Sequence, residues 1–178
     1  NLGEHTPFIG PPLQDSFKTQ YDMNVQRVHE ALQYYRECFK EKGMFENEVY
    51  TGIAELLTAL RAQGLTLAVA TSKPTVFAEA ILHHFNLHHF FNCIVGSELD
   101  GTRTAKAEVI LEVMKQLHLS SADGCVMIGD RSHDIIGANE NNMDSIGVTF
   151  GYGSRNELEQ ASATYLVENV ASIAKHII

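Results

Sequence analysis

Apolar residues in the first part of the chain recur every three or four positions, in two separate stripes. That spacing places each stripe on one face of an α-helix. Asn24 is the predicted N-cap of the second helix, and Gly43 should end that helix. The stripes consist of Leu13, Phe17 and Tyr21, and of Val25, Val28, Leu32, Tyr35 and Phe39. Two helices packed only on each other are marginally stable, so we expect them to contact further structure.

From Tyr50 onward the pattern changes to helical stripes that alternate with short, unbroken apolar runs. Unbroken runs are typical of strands buried on both faces, and their alternation with helices predicts a parallel sheet covered by helices on both sides. The predicted strands are 65–70, 91–95, 125–128, 145–150 and 165–167, followed by a closing helix. Ligands bind such sheets at the carboxyl ends of the strands, so candidate functional residues are expected there.

Composition narrows the class of protein. With 178 residues, of which 44% are apolar and 20% charged, the chain can form a core, which excludes a disordered chain. No stretch reaches the roughly 18 apolar residues of a membrane span, so no membrane role is expected. A net charge of -9 argues against nucleic acid as a partner, because that binding depends on clustered Lys and Arg.

The cysteines and histidines give weak signals. Three widely spaced cysteines fit a reduced, cytoplasmic chain better than a disulfide framework. Four histidines lie close together in the sequence, and Cys93 follows them closely. They are His83, His84, His88 and His89. This cluster raises zinc binding as an alternative. Their spacing straddles a helix end and a loop without a second cysteine pair, so a solvated helix end is the prediction.

Two hydroxyl residues stand at the end of the first predicted strand. Thr71 and Ser72 precede a helix that Pro74 opens, where side-chain hydroxyls and unpaired backbone N–H groups suit a phosphate. The alternative is that one of them only caps the helix.

A lysine follows the second predicted strand. Lys106 falls in the first turn of the next helix, with Thr104 as the expected N-cap. A cation there faces the positive end of the helix dipole, which is unfavourable unless its side chain leans toward an anion. Lys106 is therefore a candidate anion ligand, and a solvated surface lysine is the alternative.

The strongest local signal lies at the end of strand 125–128. Gly129 allows a close approach of the backbone, and Asp130 and Asp134 follow within one short turn, so both carboxylates can face the same crevice. Two hard oxygen ligands beside hydroxyls and a lysine suit Mg²⁺ with a phosphate. The alternative is that one aspartate caps the helix and the other is solvated.

In order and spacing, these segments resemble the motifs of the haloacid dehalogenase-like hydrolase superfamily, and within it the phosphoglycolate phosphatase-like and 5'-nucleotidase-like members with a helical cap. The matching segments are 67–74, 96–106 and 129–134 of the core, together with 8–13 and 34–36 of the cap. The resemblance implies an α/β fold with a doubly wound, Rossmann-like parallel sheet and a small all-helical cap. Residues 1–45 would form the cap and 46–178 the core.

The resemblance also implies roles for the candidate residues. Thr71 would hydrogen-bond the phosphoryl group with help from the Ser72 backbone, and Lys106 would neutralise charge on the nucleophile and the phosphate. Asp130 would bind Mg²⁺, and Asp134 would be a further ligand or would support one. In the family, an aspartate on the first strand attacks phosphorus, and a second aspartate two residues later is the general acid and base.

The chain departs from the family pattern in one respect. It begins at Asn1, and no strand with an Asp-x-Asp motif precedes Phe8. We therefore expect a fragment or processed chain, with an incomplete cap and without the nucleophile strand, that is inactive by itself.

The expected function of the intact protein is Mg²⁺-dependent hydrolysis of a small organic phosphomonoester, either phosphoglycolate or a nucleoside monophosphate, through an aspartyl-phosphate. Its partner would be a small phosphorylated metabolite, which Arg36 and Lys42 of the cap could reach. The alternatives are a non-catalytic phosphate-binding or regulatory domain, and a phosphomutase or dehalogenase on the same scaffold. The sequence predicts no oligomeric state.

Overall fold

The chain folds into two compact units, residues 1–48 and 49–178. The sequence predicts the boundary between cap and core three residues earlier, between 45 and 46. The structure is a computed structural model that describes residues 13–178, apart from the side chain of Asp15. Most of the cap segment 8–13 lies outside the described residues.

In the first unit, the two predicted helices are present and pack against each other. They are α1, Leu13–Tyr21, and α2, Val25–Glu41, and a 3₁₀ turn at Gly43–Phe45 follows. Asn24 is the N-cap of α2, as predicted, because its side-chain oxygen accepts the Arg27 N–H at 3.0 Å. Within this unit Val28 and Met44 are buried.

The second unit alternates helices with parallel strands. Its elements are α3 Ile53–Ala62, β1 Ala68–Pro74, α4 Thr75–His84, β2 Cys93–Ser97, α5 Lys106–Gln116, β3 Val126–Gly129, α6 Ser132–Glu140, β4 Asp144–Val148, α7 Arg155–Gln160 and β5 Tyr165–Val167. β1 begins later than predicted because the Leu65 N–H is used to close the end of α3, donating to the Leu60 carbonyl. None of the described helices is long and apolar enough to cross a bilayer.

The predicted closing helix is wrong. Two 3₁₀ turns, Val170–Ser172 and Ala174–His176, stand in its place. Asn169 accounts for the first turn, because its side-chain oxygen accepts both the N–H and the hydroxyl of Ser172 and holds the backbone in a tight turn. Buried Ile173 then anchors the segment to the core.

The strands are parallel, as predicted, and those described form two sheets. One sheet pairs β1 with β2, and the other has the order β3-β4-β5. Among residues 13–178, β1 and β3 thus each keep one edge without a strand partner. Neither strand contains a fully buried residue, whereas four residues of β4 are buried. The residues of β1 are half-buried, as are all but one of those of β3.

The apolar core of the second unit is built around β4. Ile146 and Val148 pack with Val167 and Ile173. Leu158 of α7 is 0% exposed. It lies against Gly147, since a Cβ at that glycine would stand 3.2 Å from the Leu158 side chain.

Leu158→Ala should lower the free energy of unfolding by about 2–5 kcal/mol, because truncation leaves a cavity that the rigid sheet cannot fill. Leu111→Ala is the matched control, since Leu111 is 60% exposed, and it should change stability by less than about 0.5 kcal/mol. Urea unfolding measures both values. Equal stabilities of the two variants would contradict the placement of Leu158 in the core.

Candidate active site

A lysine and an aspartate connect the two sheets. The Lys106 ammonium donates to the Ala70 carbonyl of β1 at 3.0 Å and lies 2.9 Å from Asp134 Oδ1 of α6. Both side chains are nearly buried, with 9% and 11% exposed. Lys106 is the first residue of α5, and its N-cap is Ala105 rather than the predicted Thr104.

The Lys106 ammonium gives the Ala70 carbonyl a side-chain donor. Ala70 belongs to β1, which pairs with β2. The other edge of β1 has no strand partner among residues 13–178.

Asp134 fixes the turn between β3 and α6. Its Oδ2 accepts the backbone N–H groups of Asp130 at 3.2 Å and Arg131 at 3.1 Å. Gly129 is required here, because a Cβ at that position would lie 2.2 Å from the Asp134 Cβ. Both carboxylate oxygens of Asp134 therefore contact protein groups, and its role as a metal ligand stays a prediction.

Asp130 stands at the tip of β3 and has one oxygen left for a ligand. Its Oδ2 accepts the Tyr152 backbone N–H at 2.7 Å, while Oδ1 accepts no hydrogen bond from the described residues. Gly151 packs on this carboxylate, since a Cβ there would lie 2.4 Å from Asp130 Oδ2. Sequence reasoning missed the Tyr152 contact, because a backbone donor leaves no signal in the residue type.

Glu157 of α7 supports the same turn and was also missed. Its Oε1 accepts Arg131 Nε at 2.9 Å and the Ser132 N–H at 2.8 Å. Burial alone would raise the pKa of Glu157, but these two donors outweigh it and hold that pKa below its ordinary value. The available signal was Ser154-x-x-Glu157, which has the form of a capping box. Ser154 does cap α7, but the glutamate side chain caps α6 instead.

Thr71 and Ser72 lie next to the residue that holds Lys106. Thr71 Oγ1 accepts the Lys73 N–H at 3.1 Å, an acceptor role that leaves its own proton for another group. The Ser72 carbonyl accepts the Ser97 hydroxyl at 2.9 Å and ties this strand end to β2. Lys106, Asp134 and Asp130 are therefore linked in one hydrogen-bonded network within the second unit, and Thr71 directly follows Ala70, whose carbonyl accepts from Lys106.

Other predicted site residues lie elsewhere. Arg36 belongs to α2 and Lys42 is its C-cap, both in the first unit, so their contact with a substrate stays a prediction.

The described residues contain no group of three or more side chains suited to a metal ion. The rings of His83 and His88 are stacked, with 3.8 Å between their centroids.

The sequence of the chain matches the haloacid dehalogenase-like hydrolase family over residues 1–148. The chain belongs to this family.

Curated relatives of this hydrolase carry different names. A 5'-nucleotidase of Pseudomonas aeruginosa is 47% identical over 166 residues, which cover 93% of this chain and 75% of the relative. The tyrosine-protein kinase PtkA of Mycobacterium tuberculosis is 36% identical over 169 residues, 94% of this chain and 56% of the relative. Phosphoglycolate phosphatases are found among more distant relatives.

A solved structure has the same fold. The crystal structure of a "predicted phosphatase" from Clostridium acetobutylicum superposes with a TM-score of 0.96 at 48% identity, over 99% of this chain and 82% of that one. The parallel α/β fold class is confirmed. The family and these relatives also confirm the predicted enzyme class, a phosphoric monoester hydrolase.

Lys106→Met should lower the free energy of unfolding by about 3 kcal/mol, because it leaves the Asp134 carboxylate buried without a counter-ion. In the double variant Lys106→Met/Asp134→Asn the buried charge is gone, so we expect it to be more stable than Lys106→Met alone. Urea unfolding of the single and double variants tests this. Losses that simply add would mean that the two groups do not interact.

Glu157 should make stability depend on pH below neutrality. Since its pKa is lower in the folded state than in the unfolded chain, its contribution is complete above the unfolded pKa of about 4.3 and is lost as pH falls through the folded pKa. The stability advantage of wild type over Glu157→Gln should therefore shrink from pH 6 to pH 3.

Thermal or urea unfolding at both pH values measures that difference. Glu159→Gln is the matched control on the same helix, because Glu159 is exposed and its ion pair with Arg155 is a solvated one. A Glu157 difference that does not change with pH would refute its role as a charged acceptor.

Proposed function

We propose that the intact protein hydrolyses small organic phosphomonoesters, namely nucleoside monophosphates or phosphoglycolate, with Mg²⁺ and through an aspartyl-phosphate. The observation that carries this proposal is the network in which the buried Lys106 pairs with Asp134, while Asp134 accepts the backbone N–H of Asp130, whose carboxylate stands at the tip of β3. It joins a cation for the phosphate and an anion for the metal in one hydrogen-bonded unit.

Lys106 and Thr71 would hold the phosphate. An ammonium has three N–H donors, and Ala70 and Asp134 accept two of them, which leaves one for a phosphate oxygen. The Thr71 hydroxyl can donate a second hydrogen bond, and the Ser72 backbone would add to it. The ion pair with Asp134 holds the Lys106 ammonium in place.

Asp130 would hold the metal. Its Oδ1 faces no donor among the described residues, while the Tyr152 N–H fixes the orientation of the carboxylate. Mg²⁺ takes few protein carboxylates and completes its coordination with water and phosphate oxygens, which fits a single aspartate at this position. The bound ion would neutralise negative charge on the phosphate.

The nucleophile requires a further strand. Among residues 13–178, β1 and β3 each have one edge without a strand partner. The backbone donors and acceptors of these two edges can pair with the two sides of an additional parallel strand. By the family resemblance, that strand carries Asp-x-Asp. The first aspartate would attack phosphorus, the second would protonate the leaving alcohol, and water would then hydrolyse the acyl phosphate.

Arg36 and Lys42 of the cap would contact the part of the substrate that is distant from the phosphate. Closure of a cap over the substrate excludes water from the reaction and adds contacts that discriminate between substrates.

The test is hydrolysis of uridine 5'-monophosphate and phosphoglycolate by the full-length protein, with Mg²⁺ and after chelation. We expect activity only with the metal, and Asp130→Asn should lower kcat/KM by about 100-fold or more. Asp144→Asn is the control, because Asp144 is an exposed aspartate at the amino end of β4 and away from the site.

Activity that survives chelation, or that Asp130→Asn leaves intact, would overturn the proposed mechanism. Binding of phosphate without any hydrolysis by the full-length protein would support the alternative of a non-catalytic phosphate-binding domain.

A further inference from the structure

Two exposed tyrosines stand beside the proposed metal ligand. Tyr50 is 48% exposed and Tyr152 is 56% exposed, although aromatic side chains of this size usually bury much more of their surface. Both belong to the second unit, which also contains Asp130. The mechanism proposed above gives neither ring a role.

The backbone fixes Tyr152 at this place. Its N–H donates to Asp130 Oδ2 at 2.7 Å, and Gly151 is packed against the same carboxylate. The Tyr152 ring is therefore attached to a segment that cannot move without disturbing Asp130. A specificity contact needs such a rigid attachment.

Tyr50 is held by a different route to the same place. Its ring meets Phe150 edge to face, with 5.2 Å between centroids and 79° between planes. Phe150 in turn packs against the core cluster of Ile146 and Val148. Phe150 lies two residues before Tyr152, so Tyr50 packs on the same segment that carries Tyr152 and contacts Asp130. Burial raises the pKa of Tyr50, and the charges of Asp130 and Tyr152 raise it further.

We propose that Tyr50 and Tyr152 form an aromatic docking site for the leaving group, and that they select phosphomonoesters whose alcohol carries a flat heteroaromatic ring, such as a nucleobase. This inference rests on the proposed phosphatase function. Aromatic side chains stack on nucleobases without reading their hydrogen-bonding edges, so preference among bases should be weak. Neither phenol offers the positive charge that would pair with the carboxylate of phosphoglycolate.

The experiment compares an ester that has a base with one that lacks it. Uridine 5'-monophosphate and ribose 5-phosphate share the sugar and the phosphate, so only the base distinguishes them. For full-length Tyr50→Leu and Tyr152→Leu, kcat/KM for the nucleotide should fall about tenfold, mostly through KM, while that for ribose 5-phosphate stays within about twofold. Tyr50→Phe and Tyr152→Phe keep the ring and should restore the nucleotide activity.

Tyr165→Leu is the matched control, since Tyr165 is also exposed but stands at the start of β5, at the opposite end of its sheet. Equal losses on both esters, or unchanged activity of both leucine variants on the nucleotide, would overturn the docking site and leave the phosphatase function standing. A wild-type protein that hydrolyses neither ester would overturn the function itself and the docking site with it.

Discussion

The ion pair between Lys106 and Asp134 is the interaction on which the site depends. Each partner also has a second task, because Lys106 covers the Ala70 carbonyl and Asp134 accepts two N–H groups of the next turn. Charges this buried cost free energy unless they are paired and hydrogen-bonded, and here both conditions are met. The pair therefore joins β1 to α6 and at the same time sets the position of Asp130.

Around Asp130, backbone groups do most of the positioning. The Tyr152 N–H orients the Asp130 carboxylate. The backbone N–H of Asp130 in turn donates to Asp134. Glu157 adds a contact from a third element by accepting the Ser132 N–H. Only substitution by proline removes a main-chain donor, so such a turn keeps its shape as long as the acceptors Asp134 and Glu157 are present, while other neighbouring side chains vary. Glycine is needed only at the close approaches, as at Gly129 and Gly151.

The fold was predictable where one strong local rule decides it. The N-cap at Asn24 and the strand at Tyr165–Val167 follow from residue types over a few positions, and the structure has both. The start of β1 was not predictable in this way, since the same apolar run first closes α3. Candidate residues could be named from their places after strands. Their partners could not, because the Tyr152 N–H and the second use of Glu157 depend on distant segments.

The described strands divide into two sheets, and the proposed mechanism would couple the joining of these sheets to the chemistry. β1 and β3 share no backbone hydrogen bonds among the described residues, so the halves are held together through α5, α6 and the ion pair. If the nucleophile strand occupies the space between them, one event both completes the hydrogen-bonded sheet and delivers the reactive carboxylate. A molecule still assembling would then be chemically silent, and a reactive acyl phosphate could form only inside a finished fold.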